Sequence, residues 1–143
     1  MTLKDILAIS GQTGLYKLVA SSRNGLIVES LENGKRMPVS TTTRVSSLED
    51  IAIFTLAEDK PLIEILLEIS EKQQGNPAIS HKSDNDKIKA FFSEIVPEYD
   101  ASRVYVSDMK KVINWYNTLQ AANMLDILKQ VKNAEETTNT PEN

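Results

Sequence analysis

The sequence predicts an α+β protein in which a β-rich segment precedes a helical one. In the first 57 residues, Asn24-Gly25 and Asn33-Gly34 separate short runs rich in Val, Ile, Leu and Tyr. Asn-Gly between two such runs is a strong signal for a β-hairpin. From Glu58 onward, apolar residues recur at the three- and four-residue spacing of helices. We therefore predict a β-rich domain over residues 1–57 and a helical domain over residues 58–132.

Length and composition are those of an ordinary globular protein. The chain has 143 residues, of which 41% are hydrophobic and 25% charged, enough to build a core without disulfides or metals. It has no Cys and one His, which excludes disulfides, thiolate metal sites and His-pair metal motifs. No segment has the roughly 20 apolar residues of a membrane span. We expect a cytoplasmic protein with no cofactor, no metal and no membrane contact.

The β-rich segment is predicted to hold one short helix and four strands. Apolar residues at helical spacing predict the helix over residues 2–9. Pro38 cannot donate a backbone hydrogen bond, so its strand should lie at a sheet edge or contain a bulge. Ser46–Glu49 fits a capping box followed by a single helical turn. The predicted strands are Leu15–Ala20, Leu26–Leu31, Arg36–Ser40 and Ile51–Thr55.

Short strands, tight hairpins and a helical turn before the last strand resemble a small SH3-like antiparallel barrel. This resemblance covers about residues 12–56. The two hairpins should form a three-stranded meander, because each Asn-Gly pair is expected to adopt a type I′ turn. We expect Leu18, Val28 and Phe54 to lie inside the β core of this domain.

The second half is predicted to form a domain of three to four helices. Pro61 suits the first turn of a helix, Gly75 suits its end, and Ser83–Asp86 suits the cap of the next helix. A third helix should begin at Ser107 or Asp108, and a short fourth helix is expected at Leu125–Leu128. The residues expected in a separate helical core are Phe91, Phe92, Tyr116 and Leu119. Residues 133–143 contain three Glu and no basic residue, and we predict a disordered acidic tail there.

Five segments of the sequence together resemble an uncharacterised family of short bacterial cytosolic proteins, a family described as a domain of unknown function. The resemblance implies a β-rich N-terminal domain followed by a small helical domain. It implies no activity and no catalytic residues. The segments that carry it are residues 2–11, 14–18, 23–31, 48–55 and 103–111.

Three polar motifs are better explained by structure than by chemistry. The segment Ser10–Gly14 follows a predicted helix and precedes a strand, the reverse of the order in phosphate-binding loops, so we predict a plain turn. His81 lies among polar loop residues, and neighbouring serines do not create the geometry of a catalytic triad. Lys110 and Lys111, with Arg103 before them, could bind phosphate, but a solvated helix face explains them better. We therefore predict no catalytic residue.

The sequence does not specify a function, and two hypotheses remain. The first is a non-enzymatic interaction module that binds a protein or self-associates through apolar residues at the margins of the helical stripes, Ile63, Leu67 and Trp115. The alternative is a nucleic-acid-associated protein that uses the small barrel. A net charge of −4 with no basic segment argues against the alternative. A patch that brings together Arg23, Lys35, Arg36 and Arg44 would favour it.

Overall fold

The computed structural model describes residues 5–12, 14–126 and 128. Its first half is a five-stranded antiparallel sheet with the strand order β4-β3-β2-β1-β5. A 3₁₀ turn and a two-stranded ladder, β6-β7, lead into three helices. The protein is therefore α+β, as predicted. The strands are β1 (Ile6–Ile9), β2 (Tyr16–Ser22), β3 (Gly25–Ser30), β4 (Arg36–Ser40), β5 (Val45–Ser47), β6 (Ala52–Ile53) and β7 (Lys60–Pro61), the 3₁₀ turn is Leu48–Asp50, and the helices are α1 (Leu62–Gln73), α2 (Asn85–Ile95) and α3 (Val106–Ala121).

The predicted meander is confirmed as β2-β3-β4, but its turns are not type I′. A type I′ turn needs positive φ at both central residues, whereas the positive φ values lie at Gly25 and Gly34 and not at the preceding Asn residues. Gly25 pairs with Ser40, and a Cβ atom at Gly25 would collide with the carbonyl oxygen of Val39. Glycine is therefore needed there mainly for the close approach of β4.

The proline prediction is also confirmed. Pro38 lies in β4, which is an edge of the five-stranded sheet. An edge strand leaves half of its backbone groups outside the ladder, so the missing N–H of proline costs no hydrogen bond there.

The predicted helix over residues 2–9 is wrong within the described residues, because Ile6–Ile9 is strand β1. Ile6 belongs to the core shared with the helices, whereas Leu7 and Ile9 belong to the core of the sheet. A strand buried on both faces has no alternation of apolar and polar residues. Its continuous apolar run therefore satisfied the helical spacing by chance.

The predicted fourth strand is also corrected. Residues Ala52–Ile53 pair with Lys60–Pro61 in the separate two-stranded ladder and do not join the main sheet. The strand that completes the sheet is β5, and it includes Ser46 and Ser47, which the sequence predicts as the start of a capping box. It has three residues, and all of them are half-buried, so no alternating pattern marks it. The single helical turn after it is confirmed at Leu48–Asp50.

The connection between β4 and β5 forces the sheet to curl. These strands are at opposite ends of the strand order, about 19 Å apart in a flat sheet. Residues 41–44 connect them, and the N–H of Thr43 donates to the carbonyl of Ser40 at 3.1 Å. A connection folded back in this way spans at most about 14 Å. The predicted closed barrel is nevertheless not found, because no ladder joins β4 to β5 in the described residues.

Two hydrophobic cores share β1. The smaller core lies on one face of the curled sheet and takes residues from all five strands, including Leu7, Val28, Val39 and Val45. The larger core combines residues of the first half with the inner faces of the three helices. The prediction of a separate helical core is therefore wrong, and the boundary at residue 57 stays a prediction. The first-half residues of the larger core are Ile6, Leu15, Leu48 and Ile53, and its helical residues include Phe91, Phe92, Tyr116 and Leu119.

Two predicted core residues are exposed instead. Leu18 is 38% exposed and lies beside a bulge, where the register with β3 shifts. Phe54 is 41% exposed, and the guanidinium of Arg103 lies over its ring at 4.3 Å from the centroid. Val28, in contrast, is fully buried as predicted.

The connection between α2 and α3 holds Arg103 in this position. Asp100 accepts hydrogen bonds from the backbone N–H and the hydroxyl of Ser102, and its other oxygen lies 2.8 Å from Nε of Arg103. The hydrogen bonds from Ser102 and Arg103 lower the pKa of Asp100 below its ordinary value.

None of the helices in the described residues is long and apolar enough to span a membrane. The predicted tail at residues 133–143 lies outside those residues. The predicted fourth helix at Leu125–Leu128 lies partly outside them, because residue 127 is not described.

Phe92 provides the test of the larger core. Its side chain is 1% exposed and meets the ring of Tyr99 edge-on, with centroids 5.4 Å apart. We expect Phe92→Ala to lower the free energy of unfolding by about 3–5 kcal/mol in urea denaturation. The control is Phe54→Ala, which should cost about 1 kcal/mol, because it removes an exposed cation–π contact. Similar losses for both variants would contradict the assigned core.

Asp100 provides a test by pH. Because its folded pKa is lowered, ionised Asp100 stabilises the fold above its unfolded pKa, near 3.8. That stabilisation is lost as the pH falls from this value through the lowered folded pKa. Urea denaturation should therefore show Asp100→Asn less stable than wild type at neutral pH, with the difference shrinking in acid. A pH-independent effect of Asp100→Asn would count against the assignment.

Candidate functional site

A cleft of about 560 Å³ lies between the sheet and α3. Its sheet side is formed by the end of β1, the turn after β1 and the residues that enter β5. Its helix side is formed by the first part of α3, and the connection between α1 and α2 contributes one side chain. We call it the basic cleft, because its charged or titratable lining residues are Arg44, His81, Lys110 and Lys111.

The sheet side of the basic cleft is held by backbone hydrogen bonds. The N–H of Ser10 donates to the carbonyl of Arg44 at 3.0 Å, and the N–H of Gln12 donates to that of Ile9 at 3.0 Å. Gly11 and Gly14 have φ values of 84° and 76°, a left-handed conformation that favours glycine. Two amides of this segment are therefore bonded within the protein, and Ser10 and Gly11 lie in a turn. That the segment has no role beyond this turn stays a prediction.

The position of His81 follows from contacts between the preceding connection and α3. The Tyr116 hydroxyl donates to the carbonyl of Asn76 at 2.7 Å, and burial raises the pKa of this tyrosine. Asn117 accepts from the N–H of Ala78 at 2.8 Å and donates to the carbonyl of Ile79 at 3.0 Å. These bonds bring the connection against the same helix that carries Lys110 and Lys111.

Positive charge is the main electrostatic feature of the basic cleft. In the described part of the chain, no Asp or Glu lines it, and none of Arg44, Lys110 and Lys111 forms a salt bridge. The Glu32 carboxylate packs against Gly14 without lining the cleft. A concave surface lined by one sign of charge raises the local concentration of ions of the opposite sign. The arrangement therefore attracts anions.

Trp115 gives the basic cleft an aromatic wall. Its side chain is half-buried against the larger core, and it lines the cleft together with Asn114 and Ile51. Trp115, Ile51 and Lys111 also line a smaller neighbouring cleft of about 190 Å³, to which Phe54, Arg103 and Asp108 contribute. The indole thus lies at the junction of two concave surfaces.

The four cations proposed for a nucleic-acid patch are not brought together. Arg23 and Arg36 flank opposite ends of β3, at least about 13 Å of strand apart. Lys35 precedes Arg36 at the same end. Arg36 lies 3.1 Å from Glu29, which also pairs with Lys17 at 3.2 Å. The hydrogen bonds from these two cations lower the pKa of Glu29.

Of those four cations, Arg44 lines the basic cleft and the other three do not.

The three residues proposed as an interface are also placed differently from one another. Ile63 is buried in the larger core, and Leu67 is half-buried against it. Trp115 is the member of this set that lines the cleft.

Sequence reasoning assessed the parts of the basic cleft one by one and missed their combination. The turn after β1, Arg44, His81 and the two lysines lie in four separate segments of the chain. The pairing of β1 with β5 brings the first two together, and that pairing depends on two strands that were not predicted. Among the described residues, no three His, Asp or Glu side chains are placed to hold a metal ion.

Comparisons with known proteins give a family and a fold. Residues 3–48 match the family model "Domain of unknown function (DUF5606)", and residues 51–119 match "Domain of unknown function (DUF6852)". No curated protein matches the chain. The chain is similar to a solution NMR structure from Bacteroides vulgatus, a structural genomics target, with 42% identity and a TM-score of 0.71.

The alignment to that structure covers 86% of this chain and 89% of the other. Identity at this level over most of both chains confirms the resemblance inferred from the sequence. The protein belongs to an uncharacterised bacterial family in which the DUF5606 segment is followed by the DUF6852 segment.

Proposed function

We propose that this protein is a non-enzymatic binding module and that the basic cleft is the surface with which it binds an anionic partner. The observation that carries the proposal is that Arg44, Lys110 and Lys111 line one concave surface to which no carboxylate of the described residues contributes. Cations that line one concave surface create a positive potential there, which a bound anion neutralises. A binding role explains why the fold keeps them together.

The aromatic wall supports the same proposal. A half-buried Trp beside polar groups supplies a large apolar contact area together with one hydrogen-bond donor, the combination that is enriched in binding surfaces. Arg and Lys have fixed charges that bind and orient an anion. We therefore propose recognition and not catalysis, and a cytoplasmic setting as expected from the sequence.

Self-association has less support than binding to a different partner. Ile63 and Leu67 are engaged in the larger core, so they add little apolar surface for a second copy. One observation supports the nucleic-acid alternative, because Arg44 and the lysines of α3 line the same cleft. The chain nevertheless has a net charge of −4, and a nucleic-acid strand is bound along an extended basic surface.

The test compares two double variants with equal charge. Arg44→Gln/Lys110→Gln neutralises two cations of the basic cleft, whereas Arg23→Gln/Lys35→Gln neutralises two exposed cations elsewhere. Each tagged protein is used for affinity capture from a native bacterial lysate at physiological salt, and the bound proteins, nucleic acids and small molecules are identified. We expect a component that wild type and the control variant retain and the cleft variant loses.

Identical sets from all three proteins would overturn the assignment of the basic cleft. Retention of nucleic acid by wild type and its loss from the cleft variant would favour the alternative function. We expect no retained nucleic acid, because few phosphate contacts are available for counterion release.

A further inference from the structure

We propose that the basic cleft is a site for a small phosphate ester that carries a planar ring, the chemical class of the nucleotides. This inference rests on the function proposed above and specifies its ligand. The cleft volume of about 560 Å³ lies within the range of roughly 300–1,000 Å³ that is typical of small-molecule sites. Its size therefore suits one compact ligand.

The arrangement of donors favours phosphate over carboxylate. Arg44 comes from the segment before β5, Lys110 and Lys111 come from α3, and His81 comes from the connection between α1 and α2. A phosphate monoester carries a charge of about −1.5 to −2 and three acceptor oxygens. It can therefore accept hydrogen bonds from several directions at once. A carboxylate has one charge and two oxygens, so it would leave part of this set unneutralised.

Trp115 favours a ligand with a planar ring. Its indole lines the cleft beside Lys111, and the half-buried Ile51 adds apolar surface. A planar heterocycle can stack on an exposed indole face, while a phosphate attached to it reaches the neighbouring cations. Stacking and ion pairing then act on the two ends of one molecule.

The distribution of the other cations favours a small ligand over a polynucleotide. Lys17 and Arg36 are paired with Glu29, Lys60 with Glu68, and Lys72 with Glu94. Lys82, Lys87 and Lys89 form no salt bridge in the described part of the chain, but a strand that left the cleft would meet a chain of net charge −4. A compact phosphate ester needs no contact outside the cleft.

The sequence provides two built-in probes, because Trp115 is its one Trp, His81 is its one His, and both line the basic cleft. Proton NMR of the indole N–H and of the imidazole C–H therefore reports binding at two positions of the same site. The ligands to titrate are adenosine diphosphate, ribose 5-phosphate, adenosine and citrate. We expect adenosine diphosphate to shift both signals and ribose 5-phosphate to shift mainly that of His81.

Charge and ring contributions are separated by variants. Arg44→Gln/Lys110→Gln should weaken adenosine diphosphate binding by about tenfold or more, since two charge-assisted contacts are lost. Arg23→Gln/Lys35→Gln should bind like wild type. Trp115→Phe should reduce the preference for adenosine diphosphate over ribose 5-phosphate, and retained ribose 5-phosphate binding shows that this variant is folded.

Several outcomes would overturn the inference. The first is that millimolar adenosine diphosphate and ribose 5-phosphate shift neither the Trp115 nor the His81 signal. The second is that citrate binds as tightly as adenosine diphosphate. The third is that Arg44→Gln/Lys110→Gln binds adenosine diphosphate as tightly as wild type does. Tighter binding of a single-stranded oligonucleotide than of adenosine diphosphate would also overturn it. If phosphates fail while lysate capture still depends on Arg44 and Lys110, the proposed function stands and the ligand class is wrong. If both experiments are insensitive to the cleft variant, both proposals fail.

Discussion

The burial of β1 on both faces is the constraint on which the rest of the structure depends. Ile6 is fully buried and faces the larger core, whereas Leu7 and Ile9 are 7% and 5% exposed and face the core of the sheet. Each of these side chains contributes about 1.5–3 kcal/mol through its burial. Their sum is comparable to the whole net stability of a typical domain, about 5–15 kcal/mol. These three side chains of β1 thus tie the sheet to the helices.

The basic cleft is a consequence of that arrangement. Because β1 lies between β2 and β5, its end meets the residues that enter β5, and Ser10 bonds to Arg44. Because the other face of β1 packs in the core that holds α3, the same end also lies near Lys110 and Trp115. A binding surface at such a junction combines groups that are distant in the sequence but fixed by the cores on either side.

Local signals predicted the parts of the fold that local physics determines. The Asn-Gly turns, the edge position of Pro38 and the burial of Phe92 and Tyr116 each follow from a few neighbouring residues. In contrast, β1 and β5 owe their conformation to partners elsewhere in the chain. The cleft could not be predicted for the same reason, since Arg44 and Lys110 are brought together by tertiary contacts. Placing the turn against Arg44 would have required recognising both Ile6–Ile9 and Val45–Ser47 as strands.

The central claim is that β1 makes the sheet and the helices one cooperative unit. The most direct measurement is urea unfolding of Ile6→Ala and wild type, followed by Trp115 fluorescence for the helices and by the Val28 amide NMR signal for the sheet. The claim predicts that both probes change together in each protein. It also predicts that Ile6→Ala lowers the urea midpoints of both probes by the same amount. This corresponds to a loss of about 2–5 kcal/mol in the free energy of unfolding. A variant that unfolds early at Val28 but keeps the wild-type transition at Trp115 would contradict the claim.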